Sequence, residues 1–311
     1  MDKNSSLWVE KWRPDHVKDV VMPAAFHSYF NKIISSGNVP NLLLYSSTPG
    51  TGKTTIAKAI VKDLNANSMY INASAEGGID TLRTSIQQFA QTKSFDHKLK
   101  IVILDEFDGT TPQFQGALRA FIEEYSKACR FILTANYISK VIPALQEGRT
   151  AVWDFNMSKS EYRTELNELI LKRLKGILKV EKVEYDEEVL KQLVESYSPS
   201  LRKLLALLQK YYEAYGKIDS GIINFRTIGN ELASLLKAHK YTDARQHCIA
   251  NGYSPEDIYK NLFENLIPTI EDKSARGQAI VTLADYSYRT AMAPQPDLQI
   301  AACFIELMGL C

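Results

Sequence analysis

The amino-acid sequence predicts an α/β fold, in which a parallel five-stranded sheet with flanking helices is followed by helical segments alone. Three observations predict it. Five short apolar runs lack polar alternation, as is typical of strands that are covered on both faces. Helical patterns separate the runs, which implies right-handed crossovers and a parallel sheet. A loop rich in Gly and Thr joins the first run to the next helix. The five runs are Leu42–Tyr45, Met69–Asn72, Ile101–Leu104, Phe131–Thr134 and Ala151–Phe155.

The loop after the first predicted strand, Ser47–Thr54, has the pattern of a phosphate-binding loop. Its glycines allow backbone N–H groups to face phosphate oxygens, while Lys53 adds positive charge and Thr54 offers a hydroxyl to Mg²⁺. Apolar residues recur about every four positions between 56 and 64, so a helix is expected to begin at the loop and favour an anion. A chance Gly/Thr turn is the alternative, and Ser47 departs from the glycine of the consensus.

Two acidic residues follow the third predicted strand. Asp105 is expected to hold Mg²⁺ and Glu106 to polarise an attacking water, as in the second half of an ATP site. Alone, the pair fits a solvated acidic turn equally well, but together with Lys53 it favours the ATP site. Asn136 follows the fourth strand, where an amide would hold the same water from the other side; a simple turn is the alternative.

Composition limits the classes of protein that remain. A length of 311 residues suits about two or three domains, and a net charge of +1 gives no overall field that would attract nucleic acid. The four cysteines have neither metal-site spacing nor the density of a disulfide framework, which is typical of a cytoplasmic protein. No apolar stretch is long enough to span a bilayer, so no membrane partner is expected.

The strand pattern fades after the fifth run, which predicts three domains: 1–157 with the sheet, a small helical domain 158–224, and an all-α domain 225–311. The boundary between the last two is placed in a segment rich in Gly, Ser and Asp, 216–224. The predicted helices of the second domain are Ser158–Lys179, Asp186–Tyr197 and Pro199–Tyr215.

Four motifs together resemble one family. Val9–Pro14 near the start, the loop Ser47–Thr54, the acidic stretch Asp105–Asp108 and Thr134–Asn136 resemble the clamp-loader ATPases of the AAA+ class. By these motifs the chain resembles the replication factor C small subunits and, more closely, the large ATPase subunit of T-even-type phage clamp loaders. The resemblance implies an AAA+ P-loop ATPase domain, a helical lid and a helical collar that serves oligomerisation, in the order of the three domains above.

The resemblance also implies roles for individual residues. ATP would be bound by Trp12, Arg13, Pro14, Val20, Val21, Thr48, Pro49, Gly50, Thr51, Gly52, Lys53, Thr54, Thr55 and Arg202. Catalysis would depend on Glu106, Asp105, Lys53, Asn136, Arg202 and, from a neighbouring subunit, Arg149, with Thr54 and Asp105 as the Mg²⁺ ligands. From the residues alone, Trp12 fits core packing as well as adenine binding, and Arg202 fits a solvated helix position.

Arg149 carries the most consequential of these roles. The family places a Ser-Arg-Cys motif after the fourth strand, and its arginine enters the neighbour's ATP site as an arginine finger. This chain has Gly148-Arg149-Thr150 there, apparently with Glu147 as an extra residue before it, which puts the position of the finger in question. A surface arginine in a glycine-containing loop is the alternative.

The resemblance finally implies partners. DNA phosphates would be contacted by Arg83 and, more weakly, by Thr81, Thr84 and Ser85; an ordinary polar helix start is the alternative. Residues near Asp108–Gln115 would touch the clamp, and Arg119 would couple the sites. The partners are a sliding clamp, primer-template DNA, further copies of the chain and a different subunit, in a ring that is pentameric by resemblance. The cytoplasm would be that of a host cell if a phage encodes the chain.

The expected function is therefore a DNA- and clamp-stimulated ATPase subunit of a sliding-clamp loader. ATP binding would hold the clamp open, and primer-template DNA would trigger hydrolysis and clamp release during DNA replication. Two alternatives remain: a subunit of the same ring that hydrolyses no ATP, and another AAA+ replication or recombination ATPase, such as a helicase loader.

Overall fold

The chain forms two compact units, Met1–Asp219 and Ser220–Cys311, in a computed structural model that describes residues 5–74, 79–92, 98–156, 160–226, 228–250 and 253–311. The boundary falls inside the segment 216–224 that the sequence predicts as a linker. Part of that segment is nevertheless helical, over Gly221–Arg226, because Ile222 is fully buried there. The further division of the first unit into a nucleotide-binding domain and a lid remains a prediction.

The first unit is built on the predicted sheet. Its strands run parallel in the order β2-β3-β4-β1-β5, so β1 lies between β4 and the edge strand β5. The prediction of a five-stranded parallel sheet is confirmed. Because all five strands point the same way, their carboxyl ends meet at one edge, where ligands bind in such sheets. The strands are β1 Leu42–Tyr45, β2 Asn67–Asn72, β3 Lys100–Asp105, β4 Cys129–Ala135 and β5 Ala151–Asp154.

Helices cover both faces of the sheet and continue beyond it. Each crossover carries a helix, and three longer helices follow β5 where the sequence predicts a helical region. The helices of the first unit are α1 Trp8–Lys11, α2 Ala24–Ser36, α3 Lys53–Asp63, α4 Ile79–Gln91, α5 Pro112–Glu124, α6 Pro143–Gln146, α7 Ser160–Val180, α8 Glu187–Tyr197 and α9 Leu201–Tyr215.

The central strands are buried almost completely, since β3 carries no exposed residue and β1 only a half-buried Tyr45. A buried lysine at the start of β3 also ties one helix to the sheet. Lys100 Nζ donates to the carbonyl oxygens of Phe89, at 2.8 Å, and of Ala90 and Thr92, which lie at the end of α4. The carbonyls that a helix end leaves unpaired are thereby satisfied by a cation, which the helix dipole favours. Strand β3 therefore fixes the end of α4 through Lys100, its first residue, and ends at the edge of the sheet with Asp105.

The second unit consists of helices packed around a core of its own. Leu232, Leu262, Leu266, Cys303 and Leu307 are fully buried in that core. The described helices are α10 Gly221–Arg226, α11 Ile228–Lys237, α12 Tyr241–Ala250, α13 Pro255–Asn261, α14 Lys273–Met292 and α15 Pro296–Met308. Among the described residues of the whole chain, no helix combines the length and the apolar character that crossing a membrane requires.

Candidate functional site

The phosphate-binding pattern lies at the carboxyl edge of the sheet, between β1 and α3. Gly50 and Gly52 have φ angles of +82° and +98°, which side chains rarely tolerate, so the two glycines are needed for the shape of the loop. Gly52 is the N-cap residue of α3 and no side chain caps the helix there. The first N–H groups of α3 are therefore left for a ligand, and the helix dipole favours an anion at this end.

Lys53 points into the space in front of the loop. Its Nζ donates to the carbonyl oxygen of Ser46 and to Oδ1 of Asn136, each at 3.1 Å, so β4 and the loop meet at this amine. Burial lowers the pKa of Lys53 to about 8, with Arg202 acting in the same direction. Asp108 and Asp105 oppose that shift by attraction. The loop thus holds a cation that lacks sufficient compensating charge, and a polyphosphate would supply it.

The Asp105 carboxylate accepts hydrogen bonds from hydroxyl groups on three different elements. Its Oδ1 accepts from Thr54 Oγ1 at 2.8 Å and from Thr134 Oγ1, while its Oδ2 accepts from Tyr70 Oη at 2.6 Å. Mg²⁺ is usually held in proteins by one or two oxygen ligands, together with waters and substrate phosphates. Thr54 and Asp105, 2.8 Å apart beside the phosphate-binding loop, fit that requirement.

Glu106 leaves β3 in the left-handed region, with φ +54°, which turns its side chain away from the strand direction. Its backbone N–H donates to Thr134 Oγ1 at 3.2 Å. Its Oε2 accepts from Ser74 Oγ at 2.5 Å, and Asn72 Oδ1 lies 2.8 Å from the same hydroxyl oxygen as an alternative acceptor. The carboxylate is therefore exposed beside the cavity and is held by the segment that follows β2.

The cavity has two compartments that meet at Gly50–Gly52, Thr55, Arg13 and Arg202. One is polar and holds the groups described above. The other is apolar, as an adenine ring requires. It is lined by Val9, Trp12, Pro14, Val20, Val21, Leu166, Ile170, Pro199, Leu201 and Leu205. Thr51 Oγ1 is buried at this junction and has no hydrogen-bond partner in the described part of the chain, a partner that a ligand oxygen would supply. The donors, the apolar wall and the shape of the loop fit a magnesium–nucleotide.

The N-terminal segment is attached to the helices that follow the sheet. Trp12 Nε1 donates to Glu181 Oε1 at 2.7 Å, and Arg173 donates to the Trp12 carbonyl oxygen at 3.1 Å. The Trp8 backbone N–H donates to Gln209 Oε1 at 2.7 Å. The aromatic side chain of Trp12 is thereby fixed as a wall of the apolar compartment.

The start of α9 approaches the phosphate-binding loop closely. Ser200 Oγ donates to the carbonyl oxygen of Pro49 at 2.9 Å. A Cβ atom added to Gly50 would lie 2.6 Å from Ser200 Oγ and 3.0 Å from Arg202 Cβ. This contact brings Arg202 into both compartments, 149 positions along the chain from Lys53 (202 − 53).

Ser47, the residue that departs from the loop consensus, has a structural role of its own. Its backbone N–H and its Oγ both donate to Asn156 Oδ1, at 2.9 and 2.8 Å. Ser46 Oγ contacts the same oxygen at 3.2 Å. The φ angle of Ser47 is not positive, so no glycine is required at this position. The segment after β5 therefore anchors the start of the loop through a single amide.

Arg149 lies at the opposite end of the sheet. It precedes β5, and its carbonyl oxygen accepts from Asn41, directly before β1. Its Nε donates to Glu123 Oε1 at 2.8 Å, and NH2 contacts the same oxygen. Of the predicted catalytic residues, Arg149 alone lies outside the two compartments within the described part of the chain.

Of the predicted ATP-binding residues, Thr48 also does not line either compartment. The predicted DNA-binding residues are described only in part. The backbone of α4 includes all four, but the side chains of Thr81 and Arg83 lie outside the described residues. Thr84 is exposed on α4 and Ser85 is half-buried.

Sequence reasoning missed three residues that contact the predicted ones: Tyr70, Ser74 and Asn156. It placed Thr134 in a family motif but gave it no role in the site. The three missed residues have no motif, because each reaches the site through the pairing of strands that are distant in sequence.

Comparisons with known proteins agree with this geometry. The model of the family described as "ATPase family associated with various cellular activities (AAA)" matches residues 43–153. The sliding-clamp-loader large subunit of Escherichia phage RB69 is 33% identical, over 88% of this chain and 85% of the relative. The large subunit of Enterobacteria phage T4 is 32% identical over 99% and 97% of the two chains. The replication factor C small subunit of Saccharolobus solfataricus is 34% identical over 97% and 94%.

The chain belongs to the clamp-loader family of AAA ATPases. As a clamp-loader ATPase, it shares its fold with a more distant solved structure. A Thermotoga maritima RuvB variant superposes with a TM-score of 0.56 at 13% identity, covering 82% of this chain and 91% of the other. At that identity the likeness concerns the fold alone, whereas the clamp-loader relatives match in sequence over nearly the whole length.

Proposed function

We propose that this chain is the ATP-hydrolysing subunit of a loader that places a sliding clamp on primer-template DNA. The proposal depends above all on one observation: the contact of Lys53 with Asn136, at 3.1 Å, and the contact of Thr54 with Asp105, at 2.8 Å, lie in one compartment that Glu106 also lines. A subunit that only completed a ring and hydrolysed no ATP would not need these phosphate-binding, metal-binding and acidic residues together. Membership of the clamp-loader family supports the clamp and DNA as partners, with ATP and Mg²⁺ as cofactors.

The residues of the cavity suit distinct tasks. Lys53 and the N-terminus of α3 would bind the outer phosphates, and the apolar compartment would bind adenine. Glu106 would accept the proton of the attacking water, after leaving Ser74, while Asn136 orients that water from β4. Thr54 and Asp105 would hold Mg²⁺, which supplies positive charge to the phosphates when bound. Arg202 would reach the phosphates from α9.

The site would be incomplete within one subunit. Arg149 lies at the amino end of β5, whereas the phosphate-binding loop follows the carboxyl end of β1, beside it in the sheet. Arg149 is thus suited to a neighbour's site and not to its own, as expected of an arginine finger supplied in trans. This supports a ring of copies of the chain with a different subunit, pentameric by the family resemblance. Such a loader would act in the cytoplasm, that of the host if a phage encodes it.

The DNA contact forms a separate part of the proposal. Arg83 would bind a phosphate from α4, with Thr81, Thr84 and Ser85 beside it. Arg83→Ala should weaken binding of the assembled complex to every DNA sequence alike and reduce the salt slope by about 1, because one phosphate contact is lost. A loss confined to particular sequences would contradict a phosphate contact.

The decisive experiment measures ATP turnover with and without clamp and primed DNA, on the isolated chain and on the assembled complex. Slow turnover alone and strong stimulation in the complex are expected. Lys53→Ala should weaken nucleotide binding and lower turnover, and Glu106→Gln should keep binding but remove turnover. Full turnover in complexes that carry both substitutions would identify the chain as a scaffold subunit.

The alternative AAA+ function, that of a helicase loader or branch-migration motor, shares with RuvB only the fold, at 11% to 13% identity. Stimulation of turnover by a helicase or a branched junction, with no response to the clamp, would support it.

A further inference from the structure

Tyr70 occupies a place in the candidate site that none of the family motifs assigns. It lies on the edge strand β2, two residues before the strand ends, and pairs in register with Ile103 of β3. Its hydroxyl donates to Asp105 Oδ2 at 2.6 Å. Its ring lies beneath Lys58 of α3, whose Nζ is 4.2 Å from the ring centroid. The side chain therefore joins β2, β3 and α3 at the polar compartment, which it helps to line.

The donors around Asp105 divide between its two oxygens. Thr54 and Thr134 donate to Oδ1, and Tyr70 donates to Oδ2. Among the described residues, the Tyr70 hydroxyl is the hydrogen-bond donor to Oδ2. Rotation about the Cβ–Cγ bond moves both oxygens of a carboxylate, so donors at each oxygen restrain that rotation more than donors at one oxygen alone.

The position of Tyr70 is itself restrained. Its side chain is 44% exposed on an edge strand, so burial alone would not fix its rotamer. The Lys58 ammonium above the ring provides a cation–π contact at a solvent-accessible site, worth about 0.5–1 kcal/mol. Lys58 lies on α3, one turn after Thr54, so the helix that presents the predicted magnesium ligand also holds the tyrosine in place.

We propose that Tyr70 is a positioning residue for Asp105, which orients the carboxylate toward the divalent cation through its hydroxyl, with Lys58 holding the ring in place. The inference rests on the proposed function, since Asp105 is a magnesium ligand only if the chain binds a magnesium–nucleotide. Groups that orient metal ligands typically change metal affinity by about 10- to 100-fold when they are lost. Because Tyr70 is partly exposed, we expect about tenfold, the lower end of that range.

The test separates magnesium from nucleotide. The affinity of the full chain for a fluorescent, non-hydrolysable ATP analogue is measured in EDTA and along a MgCl₂ titration. In Tyr70→Phe the affinity in EDTA should equal that of the wild type, while the MgCl₂ concentration for half-maximal tightening rises about tenfold. Lys58→Met should shift the same midpoint in the same direction, by a smaller factor.

Tyr211→Phe is the matched control. Tyr211 donates to Asp219 Oδ1 at 2.6 Å, the same contact at the same distance, but away from both compartments. In Tyr211→Phe, the MgCl₂ concentration at which nucleotide affinity reaches half of its increase should equal that of the wild type. A Tyr70→Phe midpoint equal to the wild type, or an equal loss of affinity with and without Mg²⁺, would overturn the proposal. If the nucleotide affinity of the wild-type chain were the same in EDTA and in MgCl₂, the proposed function itself would be contradicted.

Discussion

Arg149 is bound by Glu123 of its own chain. Nε donates to Glu123 Oε1 at 2.8 Å, NH2 contacts the same oxygen, and NH1 donates to the Ala144 carbonyl oxygen at 3.2 Å. The hydrogen bond from Arg149 lowers the pKa of the Glu123 carboxyl, so the pair remains ionised at neutral pH. An arginine that is proposed to act on a neighbour's phosphate is thus already engaged by a carboxylate on α5.

This pairing predicts that Glu123 competes with the neighbouring site. Glu123→Gln should raise the ATP turnover of the assembled complex without DNA by roughly two- to fivefold, because an exposed ion pair competes only weakly with a new partner of the arginine. Steady-state ATPase assays of the complex measure this, with Glu124→Gln as the adjacent control. A fall in turnover would show that Glu123 instead orients Arg149 for catalysis.

Removal of the arginine itself should have a much larger effect. Arg149→Ala should lower turnover at the adjoining sites by about 10³-fold, the lower end of the effect of an arginine finger. Complexes assembled from defined mixtures of variant and wild-type chains would report it, and nucleotide affinity serves as the control because binding should persist. Unchanged turnover would remove Arg149 from the proposed mechanism.

The close approach of α9 to the phosphate-binding loop predicts a specific effect of a methyl group. Gly50→Ala would place Cβ 2.6 Å from Ser200 Oγ and 3.0 Å from Arg202 Cβ, so the Ser200 hydroxyl must turn away from Pro49 or the start of α9 must shift together with Arg202. We expect at least about a tenfold loss of nucleotide affinity, since about 1.4 kcal/mol of lost contact suffices for that factor.

Gly37→Ala is the control for backbone strain. Gly37 has φ +66° but no atom within 4 Å of an added methyl group, so the substitution introduces the left-handed strain of about 1–2 kcal/mol without the clash. Thermal unfolding should show a loss for both variants, at least as large for Gly50→Ala as for Gly37→Ala, while equilibrium nucleotide titration should show a loss for Gly50→Ala alone. Equal nucleotide affinities would contradict the proposed contact of α9 with the bound ligand.

The depressed pKa of Lys53, about 8, predicts proton uptake on nucleotide binding. Part of the lysine is neutral in the nucleotide-free chain at pH 8, and the negative phosphates favour its charged form. Calorimetry at pH 8 in two buffers of different ionisation enthalpy should show net uptake, which Lys53→Met abolishes and Lys62→Met leaves unchanged. Binding without uptake would place Lys53 away from the phosphates.

The same shift affects stability in the absence of nucleotide. Between about pH 8 and 10.5 the unfolded chain holds more protons at Lys53 than the folded chain does. The free energy of unfolding should therefore rise with pH over that window, relative to Lys53→Met. Urea titrations at pH 8 and at pH 10.5 measure the free energy of unfolding of both proteins. If the wild type became less stable relative to Lys53→Met as the pH rises, the direction of the pKa shift would be contradicted.

The amide of Asn156 is predicted to hold the phosphate-binding loop. Asn156→Ala leaves the N–H and the hydroxyl of Ser47 without their acceptor, at a cost of about 1–3 kcal/mol. Both the thermal midpoint and nucleotide affinity should fall. Asn38→Ala, at an exposed position, is the control, and equal behaviour of the two variants would show that the loop holds its shape without Asn156.

The fold was largely predictable because its signals are local. Leu42–Tyr45 is a strand with the predicted bounds, and the other four strands differ by one or two residues at their ends. The linker was less predictable: Gly and Ser favour a loop over 216–224, but burial of Ile222 stabilises a helical turn. Polar residues such as Ser74 and Asn156 carried no signal, since their partners are set by strand order and not by spacing in the sequence.

The sequence by itself determined the type of chemistry, because the glycines, Lys53 and Thr54 of one loop, and the acids after one strand, lie close together along the chain. Only the tertiary structure decided what surrounds them. Parallel pairing of β2 with β3 brings Tyr70 to Asp105, the contact of Ser200 with Pro49 brings Arg202 to the loop, and the register of β5 on β1 keeps Arg149 at the far edge. The physical reason is that hydrogen bonds and ion pairs act over about 3–4 Å, a distance that chain folding closes between residues far apart in sequence.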